Sequence, residues 1–119
     1  MKEETRRQKK MASLLRDALS RILPDELRFF TASLVTVTRV EIQSDLRAAR
    51  VLLSVFGPVD PAEVLDRLAH RTGAIRRRLA TTVELKYNPE LFFAIDSSAE
   101  VVERIDRVLA DTRHDDSTG

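Results

Sequence analysis

No cysteine occurs among the 119 residues. That excludes disulfides, thiolate catalysis and cysteine-ligated metal centres together, and it suits a reducing compartment. Histidine is scarce: His70 and His114 are the only two, and they do not share the one-turn spacing of a helical metal site. Neither a G-x-S-x-G elbow nor a G-x-x-x-x-G-K-[ST] phosphate loop appears. The expectation is therefore no metal and no cofactor. No apolar run approaches the ~20 residues that cross a bilayer. The opening "MKEETRRQKKMASLL" is basic but lacks the apolar stretch of a signal peptide. The sequence thus predicts a soluble, cytoplasmic protein with no membrane partner.

What is present is an ordinary apolar content of 43% and a high charged content of 33%. A chain of this length buries roughly two thirds of its unfolded surface, enough for one domain without a staple. Net charge is +1, but the charges are segregated. Residues 1–10 hold Lys2, Arg6, Arg7, Lys9 and Lys10 against Glu3 and Glu4, leaving three positive charges. The tail "DTRHDDSTG" holds three Asp against one Arg. Basic segments of this kind attract phosphate even in a nearly neutral chain.

Periodicity divides the chain into six elements. Met11, Leu14, Leu15, Ala18, Leu19 and Ile22 form one helical stripe, predicting a helix from about Thr5 to Leu23 that Pro24 ends. "SLVTVTRVEI" is rich in β-branched residues and reads as a strand. Val35 and Val37 fall out of phase with Val40 and Ile42, so a one-residue bulge is expected near Thr38 and Arg39. "ARVLLSVF" is the return strand of an antiparallel hairpin across "QSDLRA". Asp60, Pro61 and Glu63 give an N-cap, a first helical position and a capping box. The stripe of Leu65, Leu68, Thr72, Ile75 and Leu79 then crosses Gly73, predicting a helix–kink–helix with the joint there. A third strand region spans "TVELKYNPELFFAI", with Pro89 marking an edge, a bulge or the strand's true start. Ser97 and Glu100 suggest another capping box, and Val101, Val102, Ile105, Val108 and Leu109 the stripe of a last helix. Residues 1–110 read as a single domain and 111–119 as a disordered acidic tail. One small sheet with helices on one face would bury every stripe, an α+β arrangement.

Carboxylates have plain local duties at helix ends, and catalysis would require Asp45, Glu90 or Asp96 to converge in a pocket; no enzyme is expected. The basic residues are the better lead. Arg67, Arg71, Arg76, Arg77 and Arg78 flank Gly73, and at 100° per residue Arg67, Arg71 and Arg78 share one side of an unbroken helix. A break at Gly73 would expose fresh backbone N–H groups that favour phosphate, with arginines beside them. Close packing of the helix on the sheet is the other reason to keep a glycine. Tyr87, Phe29, Phe30, Phe92 and Phe93 read mostly as core, which favours recognition of nucleic-acid shape and backbone over stacked bases.

These residues resemble the ribosome-binding factor A family. The likeness begins in the basic first helix, is sharpest in "VTVTRVEIQSDLRAARVLLSVFG", continues through "GAIRRRLA" and ends in "LKYNPELFFAIDSS". It implies a KH-like fold of the second type, α-β-β-α-kink-α-β, here with a C-terminal helix. It also implies an alanine–any–glycine kink, written Arg71-Thr72-Gly73 in this chain, where Gly73 matches and Arg71 departs. The resemblance implies a monomeric, non-enzymatic factor that binds free small ribosomal subunits and their rRNA during late maturation and that is linked to growth in the cold. It puts Arg6, Arg7, Lys9, Lys10, Arg71, Gly73, Arg76, Arg77 and Arg78 on the rRNA-facing surface, with Arg39 and Arg47 secondary. A small α/β homodimer, joined through its open sheet face and binding no RNA, is the alternative.

Overall fold

The computed structural model of the chain describes residues 5–28, 30, 33–85 and 88–97. The predicted last helix and acidic tail, with Phe29 and Tyr87, lie outside these residues. Among the described residues the order is α1 (Arg6–Glu26), β1 (Leu34–Ile42), β2 (Ala48–Phe56), α2 (Pro61–Thr82) and β3 (Glu90–Ile95). The three strands form one sheet in the order β1-β2-β3. β1 and β2 pair antiparallel, and β2 and β3 pair parallel. This is the α+β arrangement expected from the apolar stripes.

β1 carries the predicted bulge. Its register shifts between Val37 and Arg39, so that Arg39 faces Leu52 while Val37 faces Leu53. The extra residue brings Val37, Val40 and Ile42 to the same buried face. Ala49, Val51 and Leu53 of β2 and Leu91 of β3 join them, and the helices supply Leu15, Leu19, Ile22, Val64, Leu68, Ile75 and Leu79. Each fully buried aliphatic side chain is worth about 1.5–3 kcal/mol. The opposite sheet face carries Glu41, Arg50 and Phe92 in register. Phe92 is 55% exposed, against its expected place in the core.

α1 starts where expected, after Thr5, but ends later than expected. Thr5 caps it in a reciprocal box: the Gln8 amide donates to Thr5 Oγ1 at 3.1 Å and the Thr5 amide donates to Gln8 Oε1 at 2.7 Å. Gln8 Nε2 also donates to the Ile42 carbonyl at 3.0 Å, fastening the start of α1 to the end of β1. Pro24 does not end the helix, which runs on to Glu26. Leu23, Glu26 and Leu27 are all buried, and the Leu27 amide closes on the Leu23 carbonyl at 3.0 Å. Tertiary burial of that last turn outweighs the hydrogen bond that Pro24 cannot make.

α2 is the larger correction. It is one uninterrupted 22-residue helix, with no break at Gly73. Asp60 caps it by accepting from the Ala62 amide at 2.9 Å, with Pro61 leading, and Glu63 closes no capping box. Gly73 is exposed in the helix interior. A Cβ there would meet only Arg77 Nη1, at 3.8 Å, an ordinary contact. Neither a break in the helix nor a close approach therefore requires the glycine. The helix persists because Val64 and Leu68 before it and Ile75 and Leu79 after it are fully buried, which outweighs the ~1 kcal/mol that glycine costs in a helix. β3 starts directly after Pro89, where the Glu90 amide donates to the Arg47 carbonyl at 2.9 Å. Val83 and Leu85 precede the strand rather than belonging to it.

Candidate nucleic-acid interface

The arginines of α2 are largely engaged within the protein. Arg71 Nε donates to Glu26 Oε2 at 2.9 Å, and Arg78 Nη1 lies 3.2 Å from Asp25 and 3.8 Å from Glu26. Arg67 Nε reaches the Glu26 backbone carbonyl at 3.4 Å. Glu26 is 7% exposed. A carboxylate buried to that degree needs charge-assisted partners, and one side of α2 supplies them. Arg67, Arg71 and Arg78 do share a helix side, as their spacing indicates, but that side meets the last turn of α1. Because α2 is unbroken, it also offers no internal N-terminal turn to an anion.

Arg76 performs a different local task. Its Nε donates to the Pro89 carbonyl at 3.0 Å and its Nη2 to the Asn88 carbonyl at 2.8 Å. The Asn88 amide nitrogen returns a bond to the Arg76 carbonyl at 2.8 Å. The pair fixes the approach to β3 against α2. Arg77 is exposed and has no ion pair among the described residues.

The N-terminal half of α1 is different. Arg6, Arg7, Lys9 and Lys10 are exposed and make no ion pair with any described residue. The Gln8 bond to Ile42 places this turn beside the β1–β2 hairpin. There the Leu46 amide donates to the Gln43 carbonyl at 2.9 Å and the Arg47 amide to Asp45 Oδ1 at 3.0 Å. Leu46 is held at φ 63°, a left-handed conformation that side chains larger than glycine rarely take. Arg47 is exposed. Arg39 lies apart, at the bulge, with its Nε 3.9 Å from Asp96. Asp96 is buried and accepts from Thr38 Oγ1 at 2.6 Å.

The three carboxylates needed for catalysis do not converge. Asp45 and Glu90 line one open cavity with Arg47, Arg76 and Asn88, whereas Asp96 follows the far end of β3. Asp45 and Glu90 are both exposed, and Asp45 serves its own turn. Among the described residues no group of His, Asp and Glu has the arrangement of a metal site, and no helix is long and apolar enough to cross a membrane. What the surface offers is a cationic helix end with no ion pair among the described residues, set beside the hydrogen-bonded hairpin turn, an arrangement suited to phosphate oxygens.

A family model described as ribosome-binding factor A matches residues 7–109. The chain belongs to the ribosome-binding factor A family. Ribosome-binding factor A of Thermomicrobium roseum is 39% identical to it over 104 residues, covering 87% of this chain and 81% of that protein. The crystal structure of ribosome-binding factor A from Thermus thermophilus superposes with a TM-score of 0.64 at 21% identity, over 74% of this chain and 94% of the other, and so shares its fold. A Thermus thermophilus ribosome-binding factor A model fitted into the cryo-electron microscopy map of a 30S complex aligns with a TM-score of 0.55 at 26% identity, over 71% of this chain and 97% of the other.

Sequence reasoning overlooked two residues of the candidate surface. Gln8, by pattern a plain polar position on α1, joins that helix to the sheet. Its signal was the Thr5–Gln8 spacing, which is that of a capping box. Leu46 gave no sequence signal, because nothing in "SDLRA" reveals a leucine with positive φ.

Proposed function

We propose that this protein is a maturation factor of the small ribosomal subunit, holding small-subunit rRNA during late processing through the cationic start of α1 together with Arg47. The observation that carries the proposal is the contrast between two basic groups. Arg71, Arg76 and Arg78 are bonded to the protein itself, while Arg6, Arg7, Lys9 and Lys10 have no acidic partner among the described residues. Family membership, and a relative fitted into a 30S complex, support the choice of the small subunit. The protein acts here as a binding factor and not as an enzyme, and the link to growth in the cold belongs to the same proposed role. Arg77 and Arg39 add charge outside the main patch. Arg71, Arg76 and Arg78 contribute by fixing the helices and β3.

Sedimentation of the purified protein with free small subunits tests this. Association should weaken steeply as salt rises, because each phosphate contact releases a counterion. Replacing Arg6, Arg7 and Lys10 with alanine together should lower the affinity and flatten the dependence of log K on log salt by about 0.7–0.9 per lost contact. Binding that ignores both salt and the triple substitution would rule the proposal out.

The sheet face opposite the helices favours a second reading, a homodimer. Phe92 is 55% exposed and Leu34 63%, and both are side chains that association through that face would cover.

A further inference from the structure

Between the start of α1, the hairpin turn and the segment after α2 lies a groove of about 360 Å³. Its apolar wall is Met11 and Leu14 of α1, Leu46 of the turn, and Leu85. Arg7 and Lys10 stand at the same groove, and Glu84 is the single acid lining it among the described residues. The volume lies at the lower end of the range for small-ligand sites. We infer that this groove takes one unpaired nucleotide of a single-stranded RNA segment, with the base against the leucines and its phosphate on Arg7 and Lys10.

Three observations carry the inference. The first is charge complementarity. Arg7 and Lys10 are one helical turn apart on α1, so they lie on one face, and neither is neutralised by a described acid. Two cations at one edge of an apolar wall match the division of a nucleotide into charged and flat apolar parts. The second is exposure: Leu14 is 40% exposed although it belongs to a helix with a well-filled buried stripe. The third is backbone strain. Leu46 occupies φ 63° at a cost of about 1–2 kcal/mol, and its side chain thereby lines the groove. Such strain marks positions where the side chain's placement matters more than local stability. Glu84 sets the polarity: its carboxylate repels phosphate and accepts from the exocyclic amino group of a base. The scarcity of aromatics predicts backbone recognition, and the groove adds one base contact on an aliphatic wall.

The inference rests on the proposed RNA-binding role, and the test separates the two. Fluorescence anisotropy of the full chain is measured with a short single-stranded RNA and with the same strand made abasic throughout. Leu14→Ala keeps a good helix former at an exposed position, so the fold is retained; its melting temperature checks this. Leu14→Ala should weaken binding of the normal strand about threefold to tenfold, the effect of losing part of one apolar contact. It should leave the abasic strand unchanged. Arg7→Ala should weaken both. Equal loss for the two strands, or no loss for either, would overturn the pocket. So would groove resonances in a two-dimensional NMR spectrum that shift with an acidic amphipathic peptide and stay still with RNA, since the occupant would then be a protein. If wild-type protein still sediments with small subunits in those cases, the pocket alone is lost and the broader role stands.

Discussion

At the scale of single residues, Gly73 reverses its expected meaning. The sequence places glycine between two runs of arginine, and a joint is the natural reading. Yet periodicity already held the contrary information: Leu68, Ile75 and Leu79 keep one phase across the glycine, and buried phase decides helix continuity more strongly than one weak residue. Gly73→Ala should therefore raise stability by about 0.5–1 kcal/mol and the melting temperature by a few degrees, because the new methyl meets only ordinary contact with Arg77. Thermal unfolding followed by circular dichroism reads this directly. A fall in the midpoint would mean that the glycine holds a conformation other than the regular helix. The arginines carry a related lesson. Their count and helical spacing were legible, but their partners were not. With α1 expected to end at Pro24, Asp25 and Glu26 would follow a helix end, and only the continuation of α1 through Pro24 turns Glu26 inward to meet Arg71.

At the scale of elements, the existence of α1 and α2, the hairpin and the bulge followed from pattern. Two phases of valine in one strand require an inserted residue, and the register supplies it between Val37 and Arg39. The third strand was harder, since Val83, Leu85 and Tyr87 alternate as well as Leu91, Phe93 and Ile95 do. What decides is anchoring. Arg76 grips the Asn88 and Pro89 carbonyls, so the chain joins the sheet only at Glu90. Arg76→Ala leaves two carbonyls beside a buried proline without their charged donor. It should cost about 2 kcal/mol, the usual range for bonds to a charged group. Urea unfolding is expected to show a lower midpoint with an unchanged slope. Arg77→Ala, in the same basic cluster but without a described ion pair, should change stability by less than about 0.5 kcal/mol. Equal effects of the two substitutions would contradict the division between bonded and available arginines.

At the scale of the whole molecule, the choice is between a factor that meets RNA as one chain and a dimer joined through its sheet. The charge segregation was visible in sequence, and so was the family. The position of the useful cations relative to the hairpin was not, because it depends on one glutamine side chain bonding a carbonyl 34 residues further along the chain. We expect sedimentation equilibrium to give a single species near 13.5 kDa across a wide concentration range. A mass that doubles with concentration, and reverts in Phe92→Glu, would favour the dimer instead. The parallel pairing of β2 with β3 has one more consequence. The middle strand gains its second neighbour only from residues 90–95, after all of α2 has been made. During synthesis a hairpin with one bare flank therefore waits for the chain to catch up, and bare strand flanks invite stray pairing. A member of the ribosome-binding factor A family thus depends on the ribosome that makes it to release those six residues before its own sheet can close.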